Sequence, residues 1–174
     1  MLVACGALAA LCTTAPALAL ARVAPQRERR LVLRQLHTGE VLRTTFWADG
    51  DYVPDALAEI SHLLRDHRTG EVQPIDRDLL DLLARLSQRL ESRGEFHVIS
   101  GYRSPKTNEA LRRSGGGGVA RRSLHMDGRA IDIRVPGRDL AQVRQAALAL
   151  RGGGVGYYPN SRFIHLDTGR VRSW

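Results

Sequence analysis

Two short segments of the chain alternate between apolar and polar residues with the period of a β-strand. In residues 130–135, aliphatic side chains occupy every second position from Ile131 onward, which sends Asp132 to the opposite face. In residues 163–167, two aliphatic residues alternate with His165 and Asp167, which therefore share a face. If the two strands are neighbours, a carboxylate and an imidazole line the same cleft.

The remaining pattern predicts an α+β fold. Helical periodicity predicts helices at residues 54–67, 78–93, 105–111 and 139–150, with Ser104 and Asp139 as caps of the last two. Strands are predicted at residues 96–100 and, as a hairpin, at residues 31–33 and 40–42. We expect a small, mainly antiparallel sheet that carries the site, with the helices packed on its other face.

A third candidate residue, His125, lies in the loop before the first of these strands. From there it can reach the point where Asp132 and His165 meet, which places two nitrogens and one oxygen around a divalent ion. Three protein ligands leave a position open for water, as in catalytic zinc sites. A single histidine or aspartate in a loop more often forms hydrogen bonds or faces solvent, so the metal interpretation depends on the longer pattern around these residues.

That longer pattern is Ser-x-His-x-x-Gly-x-Ala-x-Asp at residues 123–132, followed by a distal histidine. It resembles the LAS zinc peptidases, a group named for lysostaphin, D-alanyl-D-alanine metallopeptidases and sonic hedgehog. The segments 100–105 and 152–169, together with Asn108, resemble most closely the YcbK/MepK-type periplasmic murein endopeptidases. The similarity runs from about Arg30 to Trp174.

The resemblance implies that His125, Asp132 and His165 bind Zn²⁺, and that the enzyme cleaves peptide cross-links between peptidoglycan stem peptides. Two alternatives stay open. One is D,D- or L,D-carboxypeptidase action on stem peptides, and the other is a hedgehog-like, non-hydrolytic zinc module that binds the cell wall.

The general base is not assigned by the resemblance. Many carboxypeptidases of the wider family carry an acidic residue three positions before the second ligand histidine, where this chain has Arg162. Asp167 is the candidate instead, either to accept a proton from the metal-activated water or to orient His165.

Arg103 follows the predicted strand 96–100 and is the second candidate for catalysis and for substrate binding. A planar guanidinium can hold a carboxylate through two parallel hydrogen bonds or stabilise negative charge on an oxyanion. The alternative is an ordinary surface arginine, one of many in this chain.

Length, composition and charge limit the number of domains and the kinds of partner that we expect. The chain has 174 residues, which suits a single domain, and a formal net charge of +8 at pH 7. Only Lys106 among the 26 basic residues is a lysine. The charge favours an anionic partner, and a carboxylate-bearing cell wall fits it. A nucleic-acid binder is the weaker alternative, because no aromatic-interleaved basic motif or nucleic-acid module is recognisable.

The amino-terminal segment indicates the compartment. Residues 1–21 contain no charged residue and end in small residues, which predicts an export signal or an uncleaved apolar anchor, the only expected link to a membrane. Residues 22–30 are predicted to form a linker and residues 31–174 the single zinc peptidase domain, placed in the periplasm. Both cysteines lie in the leader, so the domain needs no disulfide. The oligomeric state is left open.

Overall fold

The structure is a computed structural model, and it describes residues 27–92, 95–114 and 119–174. Its strands are β1 Glu28–Gln35, β2 Val41–Ala48, β3 Asp51–Tyr52, β4 Glu95–Ser100, β5 Ala130–Arg134, β6 Gly154–Tyr158, β7 Phe163–Asp167 and β8 Arg172–Ser173. Its helices are α1 Pro54–Leu63, α2 Arg77–Arg89, α3 Pro105–Arg113 and α4 Leu140–Leu150, with a 3₁₀ turn at Leu124–Asp127.

The strands form one sheet in the order β3-β2-β1-β4-β5-β7-β6-β8. The pairs β1/β4 and β6/β8 are parallel, and the others are antiparallel. The α+β class is thus confirmed, but the expectation of a small sheet is wrong, because the described residues build eight strands of mixed direction. The hairpin β1/β2 joins the rest of the sheet through the parallel pair β1/β4, and β4 lies next to the site-bearing strand β5. Helices α1 and α2 lie in the connection that leads from the hairpin to β4.

The core lies between one face of this sheet and three helices. The inward-facing residues of the central strands are almost fully buried: Leu31, Leu33, Phe96, Val98, Ile131, Ile133, Ile164 and Leu166. They pack with apolar residues of α1, α2 and α4, among them Ile60, Leu83 and Val143. Each such side chain contributes about 1.5–3 kcal/mol through its removal from water. Because side chains alternate along a strand, Asp132 and His165 leave the sheet on the opposite face.

Helix α1 and strand β1 differ from their predicted bounds. Helix α1 ends at Leu63 rather than residue 67, because the chain turns there to place Asp66 against the amide of Ser104. Strand β1 begins at Glu28, so residues 28–30 belong to the sheet and not to the predicted linker. The caps are confirmed, since Ser104 accepts from the amide of Thr107 and Asp139 from the amides of Ala141 and Gln142.

The predicted leader, residues 1–21, lies outside the described residues, as does most of the predicted linker. In the described ranges, no helix has the length and hydropathy needed to cross a membrane.

Candidate functional site

The predicted metal ligands come together on the open face of the sheet. Strands β5 and β7 are antiparallel neighbours, and Asp132 lies directly opposite His165, with 2.9 Å between Oδ1 and Nδ1. His125 enters from the 3₁₀ turn, with its Nε2 atom 3.3 Å from Asp132 Oδ2 and 3.3 Å from His165 Nδ1. One candidate ligand atom from each residue lies within 4.8 Å of the others.

The turn that carries His125 depends on Gly128. This glycine closes the 3₁₀ turn at φ 65°, in the left-handed region that a residue with a side chain rarely adopts. A Cβ atom there would also collide with the carbonyl oxygen of Pro74. The carbonyl of His125 accepts from the amide of Arg103 at 3.1 Å, which ties this turn to the loop after β4.

Hydrogen bonds set the tautomer of both imidazoles. Nδ1 of His125 lies 2.7 Å from the carbonyl oxygen of Gly101, which can only accept, so Nδ1 carries the proton and Nε2 is free to bind a metal. Nε2 of His165 lies 3.0 Å from Asp167 Oδ2 and donates to it, while Nδ1 faces the site, 2.9 Å from Asp132 Oδ1, and would bind a metal in its deprotonated form. Second partners of this kind are typical of metal-binding histidines.

The three donors fit a tetrahedral zinc ion. Two ligand atoms bound at about 2.0–2.1 Å in tetrahedral geometry lie roughly 3.3 Å apart. The two imidazole nitrogens are 3.3 Å apart. Asp132 approaches each of them with a different oxygen, with Oδ1 at 2.9 Å from His165 Nδ1 and Oδ2 at 3.3 Å from His125 Nε2. Two imidazole nitrogens and one carboxylate oxygen are also a donor set that zinc accepts in catalytic sites.

The charges of the site are set by contact between its groups. Burial alone would raise the pKa of Asp132, but the imidazoles of His125 and His165 outweigh it and hold that pKa well below its usual range. Burial alone would lower the pKa of His165, but its hydrogen bonds to Asp132 and Asp167 raise it. Asp132 therefore stays ionised, which a metal ligand requires.

Asp167 is fully buried and has donors on both oxygens. Oδ1 accepts from the amides of Gly154 and Gly169 at 3.0 and 2.9 Å and from Arg172 at 3.0 Å. Oδ2 accepts from His165 at 3.0 Å and from Arg172 at 2.7 Å. Burial alone would raise the pKa of Asp167, but these hydrogen bonds hold it well below its usual range. The position of Asp167 suits a residue that orients His165.

Arg103 lies in the site, as expected from its place after β4. An irregularity between Val98 and Ser100 brings Ser100 opposite Asp132, and the chain then turns over the cleft. The guanidinium of Arg103 is 3.6 Å from Asp132 Oδ2 and 3.4 Å from Ser100 Oγ. Its Nε atom is buried and has no hydrogen-bond acceptor among the described residues. Such a buried, unpaired donor points to a ligand group.

The cleft above the candidate metal site has a volume of about 210 Å³. Among the described residues that line it, the acidic ones are Asp132 and Asp167. Arg162 lies in the turn between β6 and β7 at φ 55° and does not line the cleft. Arg162 stands where many carboxypeptidases of the wider family have an acidic general base. Apart from Asp132 and Asp167, no carboxylate among the described residues of the cleft wall replaces that base.

Besides Arg172, the residues Asp66, Tyr158 and Trp174 contribute to the site and were not predicted from the sequence. Asp66 accepts from the amide of Ser104 at 2.9 Å and so positions the loop that carries Arg103. Tyr158 and Trp174 line the cleft beside His165. The glycine-rich run before Tyr158 is a sequence signal for close packing at this place. Asp66 has no such signal in the sequence around it, because its partner Ser104 is 38 residues away.

Comparison with known proteins decides the family. The family model described as peptidoglycan L,D-endopeptidase MepK matches residues 23–174. This chain belongs to that family. The MepK-type resemblance proposed from the sequence is thereby confirmed.

Curated MepK family members cover most of the chain. The peptidoglycan L,D-endopeptidase MepK of Escherichia coli strain K12 is 43% identical over 159 residues, which are 91% of this chain and 87% of the relative. The probable peptidoglycan L,D-endopeptidase MepK of Haemophilus influenzae is 44% identical over 156 residues, 89% of this chain and 83% of the relative. The match to the family model spans the whole described sheet and its site.

Proposed function

We propose that this chain is a zinc-dependent murein endopeptidase that hydrolyses peptide cross-links between stem peptides outside the cytoplasm. The observation that carries the proposal is the convergence of His125, Asp132 and His165, whose ligand atoms lie within 4.8 Å of one another and whose two imidazole nitrogens are 3.3 Å apart, as suits tetrahedral zinc. The names of the MepK relatives support the endopeptidase class and an L,D cross-link as the bond that is cleaved. Action on peptidoglycan supports export to the periplasm, with residues 1–21 as the signal.

A bound zinc ion would lower the pKa of a coordinated water and polarise the scissile carbonyl. The chain prepares the site for it by giving the outer nitrogen of each imidazole an acceptor, the carbonyl of Gly101 for His125 and the carboxylate of Asp167 for His165, so that the other nitrogen of each ring faces the metal position. Of the two roles considered for Asp167, we propose orientation of His165. A proton acceptor needs a free lone pair, whereas Asp167 already accepts five hydrogen bonds.

Arg103 would hold a carboxylate of the stem peptide. Its guanidinium is mostly buried beside the ligands, and burial lowers its pKa below the usual value although Asp132 opposes that effect. A desolvated cation with an unpaired Nε gains strongly from a carboxylate partner. The bound peptide would thereby be fixed with its scissile amide over the metal.

The experiment is a muropeptide analysis of purified sacculi after incubation with the protein, with and without a chelator. Loss of cross-linked dimers with a matching gain of monomers, abolished by chelator and by His125→Ala, is expected. His97→Ala serves as the matched control, because this imidazole pairs with Glu95 away from the site. Release of free D-alanine with unchanged dimers would indicate a carboxypeptidase instead. Unchanged muropeptides from zinc-loaded protein would indicate a wall-binding module.

A further inference from the structure

Tyr158 is a cleft residue that the proposed mechanism does not yet use. It ends strand β6 opposite Phe163, and the two rings stack with centroids 4.5 Å apart. Its side chain lines the cleft together with Arg103, Asp132 and His165. The stack fixes the ring, so the hydroxyl has a defined place in the cleft wall.

The indole of Trp174 determines which way this hydroxyl can donate. Nε1 of Trp174 lies 2.8 Å from the Tyr158 hydroxyl oxygen. An indole N–H can only donate, so the phenolic oxygen accepts and its own hydrogen is left for another partner. Tyr158 is therefore available as a hydrogen-bond donor to a ligand in the cleft.

Trp174 is held in place by contacts on several sides. Its backbone forms hydrogen bonds with the neighbouring strand β6. The amide of Trp174 donates to the carbonyl of Val155 at 3.2 Å, and its carbonyl accepts from the amide of Tyr157 at 3.0 Å. The guanidinium of Arg172 lies 4.8 Å from the centre of its ring. The ring centre is 5.3 Å from that of the candidate ligand His165. The donor that orients Tyr158 thus lies directly beside the metal site.

Gly156 provides the space for this arrangement. It lies in β6, directly opposite His165 in β7, and the rings of Trp174 and Tyr158 lie over it. A Cβ atom at this position would lie 2.8 Å from the Trp174 ring and 2.9 Å from the Tyr158 ring, too close for either ring to stay where it is. The glycine therefore allows both aromatic side chains to approach the ligand.

We infer that Tyr158 is a catalytic residue that donates a hydrogen bond to the carbonyl oxygen of the scissile amide as negative charge develops there. Trp174 is its positioning residue. The inference rests on the proposed peptidase function and adds an oxyanion donor to it. A donor oriented before the reaction is worth more than a water molecule, because it needs no reorganisation. The inference gives the two residues separate roles: Arg103 holds the substrate, and Tyr158 stabilises the transition state.

The test is Tyr158→Phe, which removes only the hydroxyl. We expect kcat on a soluble cross-linked muropeptide to fall roughly 10²–10³-fold, as for loss of one oxyanion donor, with KM and zinc content unchanged. Affinity for a phosphinate analogue of the cross-link, measured by calorimetry on zinc-loaded protein, should fall in parallel. Tyr157→Phe is the matched control, because Tyr157 points to the other face of the sheet, where Arg144 lies over its ring.

Trp174→Phe tests the positioning role. It keeps an aromatic ring beside His165 and deletes the donor, so kcat should fall by roughly fivefold, the value of one neutral hydrogen bond. In the Tyr158→Phe background the same substitution should have no further effect on kcat.

Two results would overturn the inference. In the first, Tyr158→Phe has the kcat of the unaltered protein. In the second, Tyr158→Phe has a higher KM but the same kcat and the same affinity for the phosphinate. In both cases chelator-sensitive cleavage by the unaltered protein would leave the proposed peptidase function standing. If the unaltered protein bound zinc and the phosphinate but cleaved no muropeptide, the proposed function itself would fail.

Discussion

Replacing Asp167 by asparagine separates its two candidate roles. The substitution keeps the shape of the side chain but removes its charge. All five neighbours that contact the carboxylate are donors: two backbone amides, two guanidinium nitrogens and the imidazole of His165. In asparagine an NH₂ group replaces one of the two oxygens. Because Oδ1 accepts three of these hydrogen bonds and Oδ2 accepts two, at least two hydrogen bonds are lost and replaced by repulsive contacts.

The size of the effect follows from these contacts. A hydrogen bond to a charged group contributes about 1.5–3 kcal/mol. The side chain of Arg172 is 33% exposed, so water replaces part of what this residue loses. We expect the free energy of unfolding of the metal-free protein to fall by at least about 2 kcal/mol. Loss of the partner that fixes a ligating histidine should weaken zinc binding by about 10–100-fold.

The assays are denaturant unfolding of the metal-free protein, zinc affinity by competition with a chromogenic chelator, and kcat at saturating zinc. An orienting residue leaves kcat at saturating zinc within about tenfold of wild type. Asp55→Asn, at an exposed carboxylate in the first turn of α1, should change none of the three. Unaltered zinc affinity combined with a loss of kcat beyond about 10³-fold would refute the reasoning and make Asp167 the general base.

Three further outcomes are expected. Gly156→Ala should lower the free energy of unfolding by about 1–3 kcal/mol through overpacking against Trp174, and should reduce turnover, as measured by urea unfolding and muropeptide cleavage. Burial alone would raise the pKa of Asp66, but hydrogen bonds from Thr107 and Ser104 hold it below its usual range. Its contribution to stability is therefore present above about pH 4 and is lost as the pH falls further, so Asp66→Asn should flatten the acid limb of a plot of urea midpoint against pH. Removal of the metal by chelator should lower the melting temperature, since zinc at 100 times its Kd adds about 2.7 kcal/mol.

The candidate ligands on the strands could be predicted from local pattern. Alternation in β5 and β7 assigns Asp132 and His165 to the face away from the core, and that assignment requires no knowledge of distant contacts. His125 is different, because it lies in a 3₁₀ turn whose path depends on Gly128 and Pro74. Its place in the loop before β5 made it a candidate, and the family resemblance supported it as a ligand.

Long-range pairing accounts for what the sequence did not reveal. The parallel pair β1/β4 joins residues about 63 positions apart, such as Leu33 and Phe96, and no local signal specifies such a partner. The same holds for β8, a strand of two residues that places Trp174 against the cleft. The size of the sheet and the aromatic wall of the site both depend on these pairings.

The unpaired Nε of Arg103 leads to a last prediction about how substrate is recognised. Arg103→Lys keeps a positive charge but removes the planar fork, so it should raise KM for a muropeptide with free carboxylates by about 10–100-fold, the value of one charge-assisted hydrogen bond. The value of kcat should change little, because the carboxylate contact is the same in the ground state and in the transition state. On a muropeptide whose carboxylates are amidated, the two proteins should show similar KM values. If kcat fell instead and KM stayed constant on both substrates, Arg103 would act on the developing oxyanion, and the separation of roles between Arg103 and Tyr158 would be wrong.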